Sequence, residues 1–335
     1  MQYVPLLANN GVEVEVFPFF DEAYLQAFYN GQPKGFDTIR YYLARAKRLV
    51  AKKKADLLWV EKEAFPWLPW FLEHALLPAN IPIVADYDDA VFHRYDLHKS
   101  AIVRGLLATK IDRLMAASTL VVAGNEYLAS RAKTAGARTV EVVPTVVDAA
   151  QYSTQKQATD DRRRVGWIGT PDTWANFGMP LFEMLRPTIR SQNATFRAIG
   201  ADLKPSEETD KEFIPWSEDT EIALIQGMDI GVMPLADTPW AKGKCGYKLI
   251  QYMACGLPVI ASPIGVNTQI VEHDVNGFLA ESDQEWRDAL TTLLSDSDLR
   301  QRMGKAGREK VEKNYSLQAQ GPRMVKLMQE AAGVS

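Results

Sequence analysis

Residues 242–279, KGKCGYKLIQYMACGLPVIASPIGVNTQIVEHDVNGFL, constrain this chain more than any other stretch. Lys242, Lys244 and Lys248 cluster at its start. After Gly246, the apolar residues Leu249, Ile250, Met253 and Ala254 recur at helical spacing. Gly256 and Pro258 are stop signals for that helix. Val259–Ala261 then reads as a short buried strand, and Asn276–Gly277 as a tight turn before Phe278 and Leu279. Glycine loop, helix, strand and glycine loop, in that order, belong to an α/β sheet.

A helix that starts behind a Lys/Gly-rich loop suits an anion. Its first turn offers unpaired N–H groups and the positive end of the helix dipole. Lys244 and Lys248 are one turn apart and face the same spot, so together they form a candidate diphosphate cradle. A solvated basic loop beside an ordinary capped helix fits the same residue types.

The order of residues narrows the choice. Lys248, Gln251, Tyr252, Met253, Ala254, Gly256, Pro258, Val259, Ile260 and Ala261 follow the pattern K-x-x-E-Y-M-A-x-G-x-P-V-I-A, and N-G-F-L recurs at 276–279. The stretch resembles the C-terminal nucleotide-sugar site of family 4 glycosyltransferases (glycosyl transferases group 1), which have the GT-B fold. That family often carries two glutamates with seven residues between them. Here Gly243 and Gln251 occupy those positions. Gln251 can hydrogen-bond a ribose hydroxyl without charge, and Gly243 supplies no side chain.

A length of 335 residues leads us to expect two domains. A net charge of −4 argues against general nucleic-acid binding. Cys245 and Cys255 have no metal-ligand spacing and fit a reduced, cytoplasmic protein. The most apolar window, 65–85, is interrupted by four prolines, Glu73 and His74, which is incompatible with a membrane span.

The chain opens with a helical pattern over 2–9 and a strand pattern over 12–17. A doubly wound domain normally begins with a strand and a glycine turn. The expectation is therefore that the first strand is missing, through truncation or because the start is internal to a longer protein. Residues 36–54 predict a helix with Ile39, Tyr42, Leu43, Ala46, Leu49 and Val50 on one stripe. Arg40, Arg45, Lys47, Arg48, Lys52, Lys53 and Lys54 lie off that stripe. They form either a solvated face or a surface for anionic lipid, which would place the protein peripherally at the inner face of the membrane.

A strand at 57–60 ends at Glu61, Lys62 and Glu63. The aromatic segment 65–71 follows, with Trp67 expected in the core. A strand at 81–85 ends in Asp86, Tyr87, Asp88 and Asp89, at the end of the sheet where α/β proteins bind ligands. These acids have three readings: a metal pair of the D-x-D type, acceptor binding or a base, and a helix cap. A helix is expected over 101–116, and a polar linker over 150–163. In the second domain, the strand at 165–168 runs into Gly169–Thr170–Pro171, another strand–glycine–helix anion site, for which a simple cap is the alternative. Trp216 is placed either on a nucleotide base or in the core.

The resemblance implies an α/β GT-B fold of two Rossmann-like domains with parallel sheets facing a cleft. Residues 1–149 form the acceptor-side domain, 150–163 the linker and 164–314 the nucleotide-sugar domain, and 315–335 form a helix that crosses back to the first. It further implies transfer of a sugar from a nucleotide diphosphate sugar to a glycan, lipid-linked or small-molecule acceptor, with retention. No metal or cofactor is expected beyond the donor substrate. Lys244, Lys248 and Asp88 are the catalytic candidates. Gly169, Thr170, Trp216, Gly246, Gln251, Gly265, Val266 and Asn267 are assigned to the donor, and Asp86, Asp89 and Glu63 to the acceptor side. The alternatives are an epimerase or hydrolase acting on the nucleotide sugar, and a non-catalytic sugar-nucleotide-binding protein.

Overall fold

The computed structural model describes residues 2–24, 37–51, 55–155, 162–201 and 208–334. They fall into two compact units, one of Tyr3–Val143 with Arg323–Ser335 and one of Pro144–Pro322. Each unit is built on a wholly parallel sheet, so the chain is α/β.

The first unit has four strands, β1 (Leu58–Glu61), β2 (Ile83–Tyr87), β3 (Leu120–Ala123) and β4 (Val140–Val142), in the spatial order β1-β2-β3-β4. β2 and β3 are near-continuous apolar runs, as expected where helices cover both faces of a parallel sheet. One side is closed by Leu7 of the helix Val4–Asn9 and by Met324, Val325 and Met328 of the helix Leu317–Ala331. The last helix thus begins in the second unit and ends in the first.

Several local expectations change here. No strand forms over 12–17. The Val12 N–H donates to the Leu7 carbonyl, and Val12 and Val14 lie against the core as irregular chain. The helix expected over 101–116 is two helices, Ala101–Leu107 and Lys110–Ala117, and the second opens on a buried lysine. Trp67, expected in the core, is 48% exposed. Its backbone is left-handed (φ 64°), and its N–H donates to the Tyr95 hydroxyl at 3.0 Å, which turns the ring outward. The helix expected over 36–54 spans Asp37–Ala51, and Lys52, Lys53 and Lys54 lie outside the described residues. Its apolar residues divide: Tyr42, Ala46 and Leu49 turn inward, whereas Ile39, Leu43 and Val50 are exposed. Within the expected linker, Tyr152 is buried in the core of the second unit, and 156–161 lie outside the described residues.

The second unit has six strands: β5 (Arg164–Ile168), β6 (Thr195–Ile199), β7 (Lys211–Ile214), β8 (Ile230–Met233), β9 (Val259–Ala261) and β10 (Gly277–Leu279). Their order is β10-β9-β8-β5-β6-β7. The winding reverses between β5 and β8, which places the ligand crevice of such a sheet at the carboxyl ends of these two strands.

At this junction Gly166 and Gly231 are register partners. A Cβ on Gly231 would stand 2.3 Å from the Tyr252 ring, so the bare backbone is what admits the ring. Tyr252 is fully buried, and its hydroxyl accepts the Ile168 N–H at 3.0 Å. The helix Tyr247–Ala254 is thereby pinned to the end of β5. Tyr252→Phe leaves that N–H buried without a partner, which should cost about 1–3 kcal/mol. Reversible denaturation of the whole chain should show the loss in the transition of the second unit.

Candidate functional site

The residues around the end of β5 form a closed circuit of contacts within the second unit. The loop after β5 begins at Gly169. A Cβ there would stand 2.7 Å from the Lys248 ammonium nitrogen and 2.6 Å from the Trp167 ring. The Lys248 ammonium sits 4.6 Å from the centroid of that ring. No carboxylate lies within ion-pair distance of Lys248 among the described residues. Burial, and secondarily the charge of Lys244, push its pKa down to about 7. Lys242, the third lysine of the cluster, pairs instead with Asp237 at 2.9 Å.

Gly246 precedes the helix with φ 69°, and a Cβ there would meet the Ile270 Cδ1 atom at 2.3 Å. This brings 264–270 beside the lysine loop. Val266 and Asn267 are buried. The Asn267 amide nitrogen donates to the Ser262 carbonyl at 3.0 Å, while its Oδ1 is buried without a partner. Gly265 lies against the Lys242 backbone.

On the other side of the loop, the Gly169 carbonyl and the Trp216 Cβ both crowd Gly200. Trp216 is 52% exposed, which removes the core alternative. Its indole N–H donates to one oxygen of Glu221, and the Gln251 amide donates to the other. Gln251 also reaches the Tyr152 hydroxyl at 3.5 Å. A carboxylate therefore stands beside Gln251, supplied by the helix Glu218–Gln226. Sequence reasoning missed Glu221, because in the chain it is one of several acids at a helix start. Thr170 is the N-cap of Pro171–Thr173 and exchanges hydrogen bonds with Thr173. Thr170 is thus engaged in capping this turn, and Gly169 beside it lies against Lys248.

In the first unit, the acids after β1 and β2 divide by environment. Glu63 is buried, paired with Lys110 and Arg94 and hydrogen-bonded by Tyr95 at 2.8 and 2.9 Å. Glu73 pairs with the same lysine at 2.8 Å. Glu63 is thus part of the internal ion network and has no oxygen to spare for an acceptor. Asp88 is exposed and pairs with Lys62 at 3.0 Å. Asp89 accepts the Ala90 N–H at 3.0 Å. Asp86 accepts the Trp59 indole N–H at 3.2 Å. Its carboxyl is pushed up to about 7, chiefly by burial, with the Asp88 and Glu61 charges adding to the rise and Trp59 and Lys62 opposing it. Among the described residues no group of three His, Cys, Asp or Glu is arranged to hold a metal ion. Cys245 and Cys255 are free and buried.

Two units, each built on a parallel α/β sheet, are the architecture of the GT-B fold. Residues 162–296 match the family of glycosyl transferases group 1, over less than half of the chain. Spore coat protein SA of Bacillus subtilis is 36% identical over 69 residues, which are 20% of this chain and 18% of that protein. Sucrose-phosphate synthase from Thermosynechococcus elongatus superposes with a TM-score of 0.67 at 16% identity, over 90% of this chain and 80% of that one. Anabaena HepE in complex with UDP and glucose superposes at 0.66 with 17% identity, over 97% and 88%. At these identities the structural likeness is one of fold.

The raised Asp86 pKa sets a sign for stability. The folded chain holds this proton up to about pH 7, whereas the unfolded chain releases it near 3.8. The folded state therefore binds more protons in that window, and the group becomes progressively unfavourable as pH rises through it. Asp86→Asn should raise stability by about 1–3 kcal/mol near pH 8 and leave it nearly unchanged near pH 4. Denaturant melts at the two pH values check this.

Proposed function

We propose that this chain transfers a glycosyl group from a nucleoside diphosphate sugar to a glycan, lipid-linked or small-molecule acceptor, with retention at the anomeric carbon. The observation that carries the reading is Lys248, held at the switch point against Gly169 and Trp167 with no acidic partner among the described residues. A lysine so placed is suited to an incoming polyanion. The group 1 match at 162–296 and the UDP and glucose bound by HepE support a nucleotide-sugar donor.

In this reading the bond from the anomeric carbon to the departing diphosphate oxygen breaks as negative charge gathers on that oxygen. Lys248, Lys244 and backbone N–H groups near Gly169 and Gly246 meet that charge where water is excluded. We propose that these cations serve in place of a metal and that no cofactor beyond the donor takes part. Trp216 stacks on the base, while Glu221 and Gln251 take the ribose hydroxyls as acceptor and donor. Val266 and the unpartnered Oδ1 of Asn267 lie toward the sugar. In the first unit, Asp86, Asp88 and Asp89 serve the acceptor. Asp86 is the one whose pKa suits accepting the hydroxyl proton.

Lys248→Ala should lower transfer by roughly 30- to 1000-fold, equivalent to about 2–4 kcal/mol of transition-state stabilisation, with the melting temperature nearly kept. Wild-type turnover would remove Lys248 from the site. Nucleotide release measured with and without acceptor separates transfer from hydrolysis and from simple binding.

Protonation supplies a second test. Lys248 is largely neutral above about pH 7 in the free protein, and a bound diphosphate favours its charged form. Binding of a nucleoside diphosphate near pH 8 should then take up a proton, and affinity should fall as pH rises further. Calorimetry in buffers of different ionisation enthalpy reads this uptake, which Lys248→Met should abolish. Glu221→Gln should weaken nucleoside diphosphate binding by about 1–3 kcal/mol while leaving binding of inorganic pyrophosphate unchanged.

A further inference from the structure

Large apolar side chains are exposed mainly on one part of the first unit. On the helix Asp37–Ala51, positions 39, 43 and 50 project within about 40° of one another, so Ile39, Leu43 and Val50 form one outward stripe. The Tyr42 hydroxyl donates to the Pro66 carbonyl, which ties this helix to the loop carrying the outward-turned Trp67. Phe71 and Leu72 follow on the next helix, with Phe71 64% exposed. The Trp67 ring meets His98 edge-on at 5.7 Å, which continues the surface to Leu97 and to Ile102 and Leu106, four residues apart on Ala101–Leu107. Ile102 is 74% exposed.

Charge on this surface is predominantly basic. Segments 38–51, 64–72 and 97–111 contain no aspartate or glutamate. Glu63 and Glu73, the nearest acids beside 64–72, are buried against Lys110. Arg40 and Arg48 are partly offset by Asp21 and Glu15, at 3.6 and 3.2 Å. Exposed Lys47, Lys99 and Arg104 have no carboxylate partner among the described residues, and Arg104 donates only to the His98 and Lys99 carbonyls. The chain as a whole is acidic, at −4, so this is a local basic field.

Scattered apolar tips, an interfacial tryptophan and a basic surround are the features of a surface that lies on a bilayer. No helix among the described residues is long and apolar enough to cross one. Self-association through the same face would bring like charges together, which disfavours a second copy. We propose that this face of the first unit docks on membranes containing anionic lipid. Trp67, Phe71, Ile102 and Leu106 enter the headgroup–acyl boundary, and Lys47, Lys99 and Arg104 lie over the headgroups. The proposal stands apart from the transfer reading, because the donor residues lie in the other unit.

The test is co-sedimentation of the full chain with phosphatidylcholine vesicles, with and without about 30% phosphatidylglycerol. Binding should be at least about tenfold stronger to the anionic vesicles and should weaken at high salt. Ile102→Asp with Leu106→Asp should reduce it to the phosphatidylcholine level. Both positions are exposed, so an unchanged melting temperature and unchanged nucleoside diphosphate binding would show that the fold and donor site persist. Lys99→Glu with Arg104→Glu should remove most of the salt-sensitive part. Equal binding to both vesicle types, no binding to either, or full binding by the double aspartate variant would overturn the proposal. So would a concentration-dependent dimer that the same variant converts to monomer, which would assign the face to a second copy.

Discussion

The second unit depends on the seat that Gly231 gives to Tyr252. With no side chain at Gly231, the tyrosine ring lies directly on the sheet, and its hydroxyl takes the last N–H of β5. One residue thus packs the helix Tyr247–Ala254 onto the sheet and satisfies the backbone where the winding reverses. Lys248 lies one turn earlier on the same helix, so this packing also sets where its ammonium falls. A lysine on a loop would reach water. Here it is held between Trp167 and the Gly169 loop, and burial disfavours its charged form.

The polar half of the site is assembled from more distant parts. Trp216 follows β7, Glu221 lies on the next helix and Gln251 on the helix of Tyr252, yet a single carboxylate joins all three. This arrangement bears on the departure at Gln251. The uncharged amide keeps a carboxylate beside it, so the position remains anionic although the motif residue is not.

The first unit uses charge differently. Lys110 is wholly buried between two glutamates, and the same network holds the chain after β1 through Ala64, Phe65 and Tyr95. Removing one partner of such a network strands the others, so it fixes local geometry more than it adds stability. The loop it braces has left-handed backbones at Lys62 and Trp67, and it presents Lys62 to Asp88 and Trp67 to solvent. Burial beside it leaves Asp86 and Glu73 with raised pKa values, whereas Asp88 stays at the surface.

Much of this was legible in the chain because it is written in short-range spacing. Apolar runs marked the parallel strands, and the glycines and prolines of 242–279 marked loop, helix and strand. The same spacing placed Lys248 at the start of a helix behind a glycine turn. It did not show that Lys248 is desolvated, that Glu221 stands beside Gln251, that Glu63 is buried rather than presented, that 101–116 breaks before Lys110, or that Trp67 faces outward. Each of these depends on which residues from distant parts of the chain exclude water from one another. Periodicity records the face a residue occupies on its own element, whereas desolvation and ion pairing arise only when elements meet, so the tertiary structure alone decided them.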